Sequence, residues 1–266
     1  MPRPLFTARL LRKICISERV ECFHLEFEVD GMQRFDFAPG QFISTVKEDA
    51  NGKQQTRAYS IASAASGNRF DLCLNRVEGG FFSNVLCDLE PGQTVPFHGP
   101  HGLFLLRQPL TDTIMVATGT GVAPMRAFVQ HLFQHRDGDQ TNGRDIWLVY
   151  GTRWETEIYY RDFFEEIAAA HPKFHYIATL SRAGDDWTGA RGYVQEHVAT
   201  IAAGLAERPE VQNGGAADPL VITAGEPGGF RIHAYVCGLN EMVSATRERL
   251  TGLGWQRKQI IFERYD

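Results

Sequence analysis

The feature that most constrains this chain is a glycine-rich turn that directly follows an apolar run. Residues 114–117 predict a buried strand, Thr118-Gly119-Thr120-Gly121 predicts a tight turn, and Pro124 lies where a helix would begin. Glycines let the backbone approach a ligand, and the N–H groups at a helix N-terminus favour an anion such as a pyrophosphate. The spacing matches neither common nucleotide fingerprint, because Pro124 takes the third glycine position of Gly-x-Gly-x-x-Gly. From this stretch alone, a dinucleotide site and a plain strand-to-helix turn both remain open.

The bulk composition is that of an ordinary globular chain. Its 266 residues are 43% hydrophobic and 22% charged, which leaves room for one large domain or two ordinary ones. A net charge of −5 gives no reason to expect nucleic acid or an anionic membrane as a partner. No apolar run is long enough to span a bilayer, and the first residues lack a secretory pattern. We therefore expect a cytoplasmic monomer without a membrane partner.

The cysteines and histidines do not predict a metal site. The five cysteines are odd in number and contain no Cys-x-x-Cys pair, which disfavours disulfides, zinc and an iron–sulfur cluster within this chain. They are Cys15, Cys22, Cys73, Cys87 and Cys237. His131 with His135, and His171 with His175, have helical spacing but no nearby third ligand, so surface or capping roles are the simpler interpretation.

The hydrophobic period changes once along the chain and predicts two domains. Residues 1–107 show short alternating strands and one short helix near 83–89, which predicts a small antiparallel β-barrel. Residues 108–266 alternate apolar strands with helical patterns, which predicts a parallel sheet in an α/β domain. A polar segment rich in Gly, Ala and Pro, residues 208–229, is interpreted as a surface insertion without an assigned function.

The stretch from Arg57 to Ser63, Arg-Ala-Tyr-Ser-Ile-Ala-Ser, carries the most chemistry. Strand alternation puts Arg57 and Tyr59 on one face and Ser60 on the other. An arginine can clamp a phosphate and a tyrosine ring offers a stacking surface, although an ordinary amphipathic strand has the same pattern.

This stretch resembles the flavin motif of the ferredoxin–NADP reductase family. The resemblance implies that Arg57 and Ala58 bind the FAD pyrophosphate region, that Tyr59 stacks on the isoalloxazine, and that Ser60 hydrogen-bonds near flavin N5. A second family element is a glycine-rich turn that opens a short helix and carries a hydroxyl for the flavin phosphate. Its counterpart is formed by Gly80, Phe81, Phe82 and Ser83, which follow Gly79.

The opening turn and the chain end then resemble the family's nicotinamide site. Gly119, Thr120, Gly121 and Pro124, after Thr118, are similar to its pyrophosphate loop, in which proline commonly replaces the third glycine. The Cys-Gly at Cys237 is similar to a strand end beside the nicotinamide, with a buried structural thiol as the alternative. Glu263 and Tyr265 resemble the terminal Glu-x-aromatic.

In plastid-type members of the family the last tyrosine stacks on the flavin. Here Asp266 follows Tyr265, so a terminal core aromatic stays an alternative for Tyr265. The resemblance implies catalytic roles for Ser60, Cys237, Glu263 and Tyr265 around the reacting atoms.

The resemblance also bears on the choice between NADP and NAD. Family members that use NADP carry Ser-Arg after the strand nearest the adenosine ribose, with another basic residue downstream. Ser181 and Arg182 end one strand pattern and Arg191 follows, which suits a 2′-phosphate. The alternative is that both arginines pair with Asp185 and Asp186 on the surface. We favour NADP(H).

The implied activity is hydride transfer between NADP(H) and FAD, followed by single-electron exchange with ferredoxin or flavodoxin. Because the cysteines predict no cluster within the chain, we expect the one-electron acceptor to be another protein. The alternatives are an NADH-using reductase component of an oxygenase system, a flavin subunit of a permanent complex, and a free-flavin or quinone reductase. Five basic residues are candidates for docking an acidic ferredoxin; they are Arg9, Arg12, Lys13, Arg34 and Arg76.

Overall fold

The computed structural model describes residues 4–49, 51–134, 137–206 and 230–265. The predicted insertion at 208–229 lies outside the described residues. The chain divides into two compact units, one formed by Met1–Leu105 with Ala123–Arg136, the other by Leu106–Val122 with Asp137–Asp266. No helix in the described ranges has the length and apolar character needed to cross a bilayer.

The first unit is built on an antiparallel sheet of six strands. In chain order these are β1 (Phe6–Ser17), β2 (Cys22–Val29), β3 (Phe42–Glu48), β4 (Gln54–Ser60), β5 (Arg69–Asn75) and β6 (Thr94–His101). Helix α1 (Phe81–Asp88) lies between β5 and β6 in the chain. The spatial order β4-β3-β6-β1-β2-β5 puts β4 and β5 at the two edges. A bridge between Ile61 and Leu72, just past the end of β4, connects these edges and closes the barrel.

Aromatic side chains fill the barrel. Phe35, Phe70 and Phe97 are at most 2% exposed, and the centroids of their rings lie between 5.4 and 5.7 Å apart. Burying a phenylalanine contributes about 1.5–3 kcal/mol, so a few rings stabilise a small barrel substantially. Buried residues alternate with more exposed ones along parts of β1 and β2, and this is the period that the sequence shows.

The second unit is a parallel six-stranded sheet. Its strands are β7 (Asp112–Thr118), β8 (Ile146–Thr152), β9 (Phe174–Leu180), β10 (Ala190–Arg191), β11 (Ile232–Leu239) and β12 (Ile260–Tyr265). The helices are α2 (Val122–Phe133), α3 (Arg161–Ala170), α4 (Val194–Ala206) and α5 (Asn240–Gly252). By contacts, α2 belongs to the first unit from Ala123 onward. The two-residue edge strand β10 has no apolar run and was not predicted.

The strand order β10-β9-β8-β7-β11-β12 has one point at which the chain reverses direction across the sheet. After β7 the chain adds β8, β9 and β10 on one side, and it then returns to place β11 on the other side of β7. In open α/β sheets, ligands bind beyond the carboxyl ends of the strands at such a point. The carboxyl ends of β7 and β11 are therefore where this fold favours a ligand. An antiparallel barrel followed by a parallel α/β sheet confirms the predicted fold class.

Candidate functional site

Strand β4 presents the predicted flavin motif on two faces. Arg57 and Ala58 are exposed, Tyr59 is half-buried against the barrel core, and Ser60 is buried at 6% exposure. Burial raises the pKa of Tyr59 to about 12, and the charge of Arg57 opposes this rise. The phenol is therefore protonated at neutral pH, and the guanidinium lies close enough to influence it.

The glycine turn before α1 is required by close packing. A Cβ atom on Gly80 would lie 2.9 Å from the Val77 Cβ and would also collide with the Ser83 hydroxyl. The Ser83 Oγ accepts a hydrogen bond from the Val77 N–H at 3.1 Å, so this hydroxyl already closes the turn. Because α1 begins at Phe81, Ser83 lies within its first turn rather than before it. Phe81 is 41% exposed and Phe82 is buried, so only Phe81 presents its ring to a ligand.

A groove of about 930 Å³ follows the exposed face of α1 within the first unit. Its lining includes Gly80 and Phe81 together with Lys47 and Thr94. Lys47 was not predicted, and its only sequence signal is a basic residue near the end of a predicted strand. Of the predicted flavin-binding residues, Gly80 and Phe81 line the groove. Arg57, Tyr59, Ser60 and Ser83 are not part of its lining.

The predicted nucleotide loop follows β7 at the favoured edge of the second unit. Gly119–Gly121 forms one turn of 3-10 helix, Gly119 has a φ of +53°, and α2 begins at Val122. Pro124 is buried in the first turn of α2, where a missing N–H has no cost. The Tyr150 hydroxyl donates a hydrogen bond of 3.1 Å to the Gly119 carbonyl and so holds the turn from β8.

The loop contacts the end of β11 directly. A Cβ atom on Gly121 would collide with the Cys237 carbonyl and would lie 2.9 Å from the Gly238 Cα. The Thr118 Oγ1 is buried beside Gly238 and has no hydrogen-bond partner among the described residues. The structure therefore brings Thr118 and Gly121 together with Cys237, which lies more than 100 residues further along the chain.

The carboxyl-terminal strand adds two more of the predicted residues. Parallel pairing of β11 with β12 sets Cys237 opposite Glu263 and Leu239 opposite Tyr265. The Cys237 side chain is completely buried, and burial raises the pKa of its thiol far above the usual range. The Tyr265 side chain hydrogen-bonds this sulfur and partly opposes the rise. Cys237 is therefore a neutral thiol at physiological pH, and its chemistry is that of packing rather than nucleophilic attack.

The predicted ribose-phosphate residues take different roles. Ser181 and Arg182 follow β9 and are exposed, with the Arg182 N–H bonded to the Arg153 carbonyl at 3.0 Å. Arg191 instead holds a loop, because its Nη2 donates to the carbonyls of Gly184 at 2.9 Å and Trp187 at 2.7 Å. In the part of the chain that the structure describes, neither arginine forms an ion pair with Asp185 or Asp186. The surface-pairing alternative is therefore wrong.

Two further side chains near this edge were missed by sequence reasoning. Arg153 directly follows β8 and has an exposed side chain that pairs with no carboxylate of the described ranges. Tyr193, two residues after Arg191, is 65% exposed, which is unusual for a tyrosine in a structured segment. A basic residue at the carboxyl end of a predicted parallel strand was the available signal for Arg153.

These features fit the groups that the motifs imply. Glycine at positions 80 and 121 allows close packing of the turns, because a Cβ atom at either position would collide with neighbouring protein atoms, and the Thr118 hydroxyl lacks a partner within the described chain. Helix starts at Phe81 and Val122 offer N–H groups to phosphate. The described residues contain no cluster of His, Cys, Asp or Glu suited to a metal ion. An organic dinucleotide fits this donor set.

The antiparallel barrel and the parallel α/β sheet are the two domains of an oxidoreductase that binds FAD and a nicotinamide nucleotide. Residues 7–105 match the oxidoreductase FAD-binding domain, and residues 115–248 match the oxidoreductase NAD-binding domain. The chain is 40% identical over 265 residues to ferredoxin–NADP reductase B of Sorangium cellulosum, covering 98% of each chain. It belongs to the ferredoxin–NADP reductase family, which confirms the predicted family, enzyme class and cofactors.

More distant relatives are longer or share the fold alone. The chain is 30% identical to the ferredoxin–NADP reductase of Thermosynechococcus vestitus, matching 88% of this chain and 62% of that protein. A ferredoxin NADP+ reductase structure from Neisseria gonorrhoeae matches with a TM-score of 0.73 at 19% identity, covering 98% of both chains. The cytochrome b5 reductase domain of Ulva prolifera nitrate reductase matches with a TM-score of 0.76 at 23% identity, covering 98% and 97%.

Proposed function

We propose that this chain transfers hydride between NADP(H) and a bound FAD, and that it exchanges single electrons between that flavin and a ferredoxin. The observation that carries the proposal is the contact of the Gly121 backbone with the Cys237 carbonyl at the switch point of the parallel sheet. This contact brings the pyrophosphate loop and the predicted nicotinamide strand into one site. The family relatives named as ferredoxin–NADP reductases support the same activity.

The two units have separate tasks in this proposal. FAD supplies the chemistry that couples a hydride to single electrons. In the first unit, Arg57 binds its phosphates, Tyr59 supports its ring system and Ser60 offers a hydroxyl. In the second unit, the turn at Gly119–Gly121 anchors the nucleotide pyrophosphate. Binding energy at that remote group orients the nicotinamide beside Cys237 and Glu263.

Activity of the purified holoenzyme tests the proposal. We expect NADPH to reduce ferricyanide in the presence of the enzyme, and to reduce cytochrome c only when a ferredoxin is added. Parallel reactions with flavodoxin, free flavin and a quinone separate the alternatives. Failure of NADPH to bleach the flavin absorbance would contradict the proposal, and activity only within a larger complex would favour the subunit alternative.

We propose that Arg182, Ser181 and Arg153 recognise the 2′-phosphate of NADP. All three side chains are exposed beyond the carboxyl ends of β8 and β9, and neither guanidinium pairs with a carboxylate among the described residues. Arg191 supports them indirectly, because it holds the loop that follows Arg182. The exposed Tyr193 ring offers a stacking surface for the adenine.

Replacing Arg182 with alanine should change nucleotide preference. A charge-assisted hydrogen bond contributes about 1.5–3 kcal/mol, so we expect kcat/KM for NADPH to fall about 20-fold. NADH lacks the phosphate, and kcat/KM for NADH should stay within about 2-fold. Steady-state kinetics with both nucleotides measure this. Equal losses for the two nucleotides would mean that Arg182 does not contact the 2′-phosphate.

The basic residues predicted to dock the acceptor are already neutralised. Ion pairs join Arg9 to Asp30, Arg12 to Glu26, Lys13 to Glu90, Arg34 to Asp36, and Arg76 to both Glu21 and Asp88. Pairs of this kind offset the positive charge that an acidic partner would meet. The first unit therefore offers little unpaired positive charge at these five positions.

We propose instead that the acidic acceptor docks on the basic–aromatic surface formed by Phe262, Arg247 and Arg264. Phe262 is 37% exposed on the edge strand β12, and the two guanidinium carbons lie 4.0 and 5.2 Å from its ring centroid. Within the described ranges neither arginine has a carboxylate partner. Residues 262 and 264 alternate on this strand with the proposed catalytic residues Glu263 and Tyr265, so the surface lies close to the reaction site.

Charge reversal at Arg247 should weaken ferredoxin binding selectively. For Arg247→Glu we expect the KM for ferredoxin to rise about 10-fold at low salt and less at high salt, because exposed charges are screened. Ferricyanide reduction should stay unchanged. Arg249→Glu, on the same helix, is the matched control because Arg249 already pairs with Glu196 at 3.3 Å. Equal effects of the two reversals would place the docking surface elsewhere.

The cysteines bear on the compartment of the protein. None of the five cysteines, all of which lie in the described ranges, forms a disulfide, which suits a reducing compartment such as the cytoplasm. We propose a cytoplasmic monomer, and sedimentation of the holoenzyme at micromolar concentration measures the oligomeric state.

A further inference from the structure

Helix α2 carries a half-buried arginine that the proposed chemistry does not use. The Arg126 side chain is 15% exposed, and it lies one turn beyond the glycine loop. Its Nη1 donates to the Ala62 carbonyl at 2.6 Å and to the Asp71 Oδ2 at 3.1 Å. Ala62 is the second residue after Ser60. The arginine is therefore bonded to the segment that ends the flavin motif.

The same face of α2 makes a second contact with this segment. Gln130, four residues after Arg126, accepts a hydrogen bond from the Ala64 N–H at 2.9 Å. Residues four apart lie on one face of a helix. Arg126 therefore binds a main-chain carbonyl and Gln130 a main-chain N–H two residues further along, and the two contacts set the segment's position along the helix.

The segment is also held from β5, through Asp71 and through the bridge between Ile61 and Leu72. The Ala62 N–H donates to the Asp71 carbonyl at 2.8 Å, and the Ser63 hydroxyl accepts from the Asp71 N–H at 3.0 Å. The Asp71 carboxylate is the ion-pair partner of Arg126. One residue of β5 thus connects the end of the flavin motif to the start of α2.

Arg126 is the guanidinium that hydrogen-bonds Asp71. Burial raises the pKa of Asp71, Arg126 opposes that rise most strongly, Glu26 adds to it, and Arg12 also opposes it. His24 lies 3.5 Å from the same carboxylate, but burial together with Arg126 and Arg12 lowers the pKa of His24 to about 3. His24 is therefore neutral, and it faces Glu26 as well as Asp71. Without Arg126 a half-buried carboxylate would lose its charged partner.

We propose that Arg126 is a positioning residue for hydride transfer, which holds the end of the flavin motif, and with it Ser60, against the first turns of the nucleotide-loop helix. The effect of Arg126 on hydride transfer rests on the proposed function. The claim that α2 orders residues 60–64 concerns structure alone and holds whatever reaction the protein catalyses. Misplacement of a reacting group by about 1 Å is enough to lower a rate markedly.

The test compares Arg126→Met with Arg126→Lys in the full-length holoenzyme. We expect NADPH to reduce the flavin about 10-fold more slowly in Arg126→Met, measured by stopped flow at saturating NADPH. The FAD dissociation constant should change less than about 3-fold, because the groups that the Arg126 Nη1 bonds, the Ala62 carbonyl and the Asp71 carboxylate, do not belong to the proposed phosphate-binding residue Arg57. The Arg126→Lys variant keeps a cation beside Asp71. Its rate of flavin reduction should recover at least half of the decrease seen in Arg126→Met, measured on a logarithmic scale.

Hydrogen exchange supplies a readout that does not depend on activity. Amides of residues 60–64 should exchange faster in Arg126→Met, with and without FAD, and nearer to the wild-type rate in Arg126→Lys. Arg69→Met is the matched control, because Arg69 lies on the same strand as Asp71, is 64% exposed and contacts only Glu28 among carboxylates of the described chain. It should leave both the exchange and the rate unchanged.

The outcomes separate the possible failures. Unchanged exchange at 60–64 in Arg126→Met, or an unchanged rate of flavin reduction, would overturn the proposal even if the variant melts earlier. If Arg126→Met does not fold, Gln130→Ala takes its place, with an expected slowing of about 3-fold and faster exchange at Ala64. If wild-type flavin is not reduced by NADPH, the proposed function fails, while the exchange data still decide whether Arg126 orders the segment.

Discussion

Replacing Gly121 with alanine should lower kcat/KM for NADPH about 100-fold, because the new methyl group collides with the Cys237 carbonyl. Both colliding groups are backbone or directly attached to it, so neither can rotate away. The loop or the end of β11 must shift, and either shift displaces the nicotinamide from its acceptor. FAD should be retained, since the proposed flavin residues belong to the first unit. Steady-state kinetics and the flavin-to-protein absorbance ratio measure the two effects.

The control for this substitution is Gly204→Ala in helix α4. Outside its own stretch of helix, a Cβ atom at Gly204 would meet no atom of the described residues within 4 Å, and alanine suits a helix better than glycine does. We expect full activity and unchanged or slightly higher stability. If Gly121→Ala retained activity within about 3-fold, the loop contact would not position the nucleotide, and the observation on which the proposed function rests would lose its meaning.

Alanine in place of Arg57 should weaken FAD binding about 100-fold, because the phosphate loses a bidentate, charge-assisted contact. Arg57 is exposed on an edge strand, so its removal leaves no cavity in the barrel core. The fold should therefore survive, and the variant should purify largely without flavin. Titration of the apoprotein with FAD, followed by quenching of flavin fluorescence, gives the dissociation constant.

Arg69→Ala is the matched comparison for Arg57→Ala. Arg69 is another exposed strand arginine of the first unit, and its ion pair with Glu28 spans 3.7 Å at the surface. Exposed pairs of this kind contribute about 0–1 kcal/mol, so FAD affinity should not change. An Arg57→Ala variant that kept tightly bound, stoichiometric FAD would show that the guanidinium does not hold the phosphates.

The sequence was most informative where a short local pattern carries the structure. Alternation in β4 predicted that Arg57 and Ser60 lie on different faces, and the structure exposes one and buries the other. The strand, glycine turn and Pro124 correctly predicted a helix opening after the loop. Such patterns are readable because the period of a strand or the start of a helix depends on neighbouring residues.

The sequence was least informative about which groups a charged side chain contacts. Arg191 was predicted to bind phosphate, and in the structure it donates to the carbonyls of Gly184 and Trp187. The five basic residues predicted for docking are paired with carboxylates, and the partners of Arg9, Arg12 and Lys13 lie on other segments of the first unit. An arginine looks the same in a sequence whether it is paired or not. The strand register decides which carboxylate reaches it.

The sequence of neighbouring residues alone therefore predicted the two domain types, the position of the nucleotide loop and the strand that carries the flavin motif. Each of these depends on the hydrophobic period and the chemistry of adjacent residues. The tertiary structure decided which of these residues meet. It packed Gly121 against Cys237, bonded Tyr265 to that thiol, and set Arg126 on Ala62 and Asp71. These contacts follow from strand order and helix docking, which bring distant segments together through packing that no short stretch of sequence encodes.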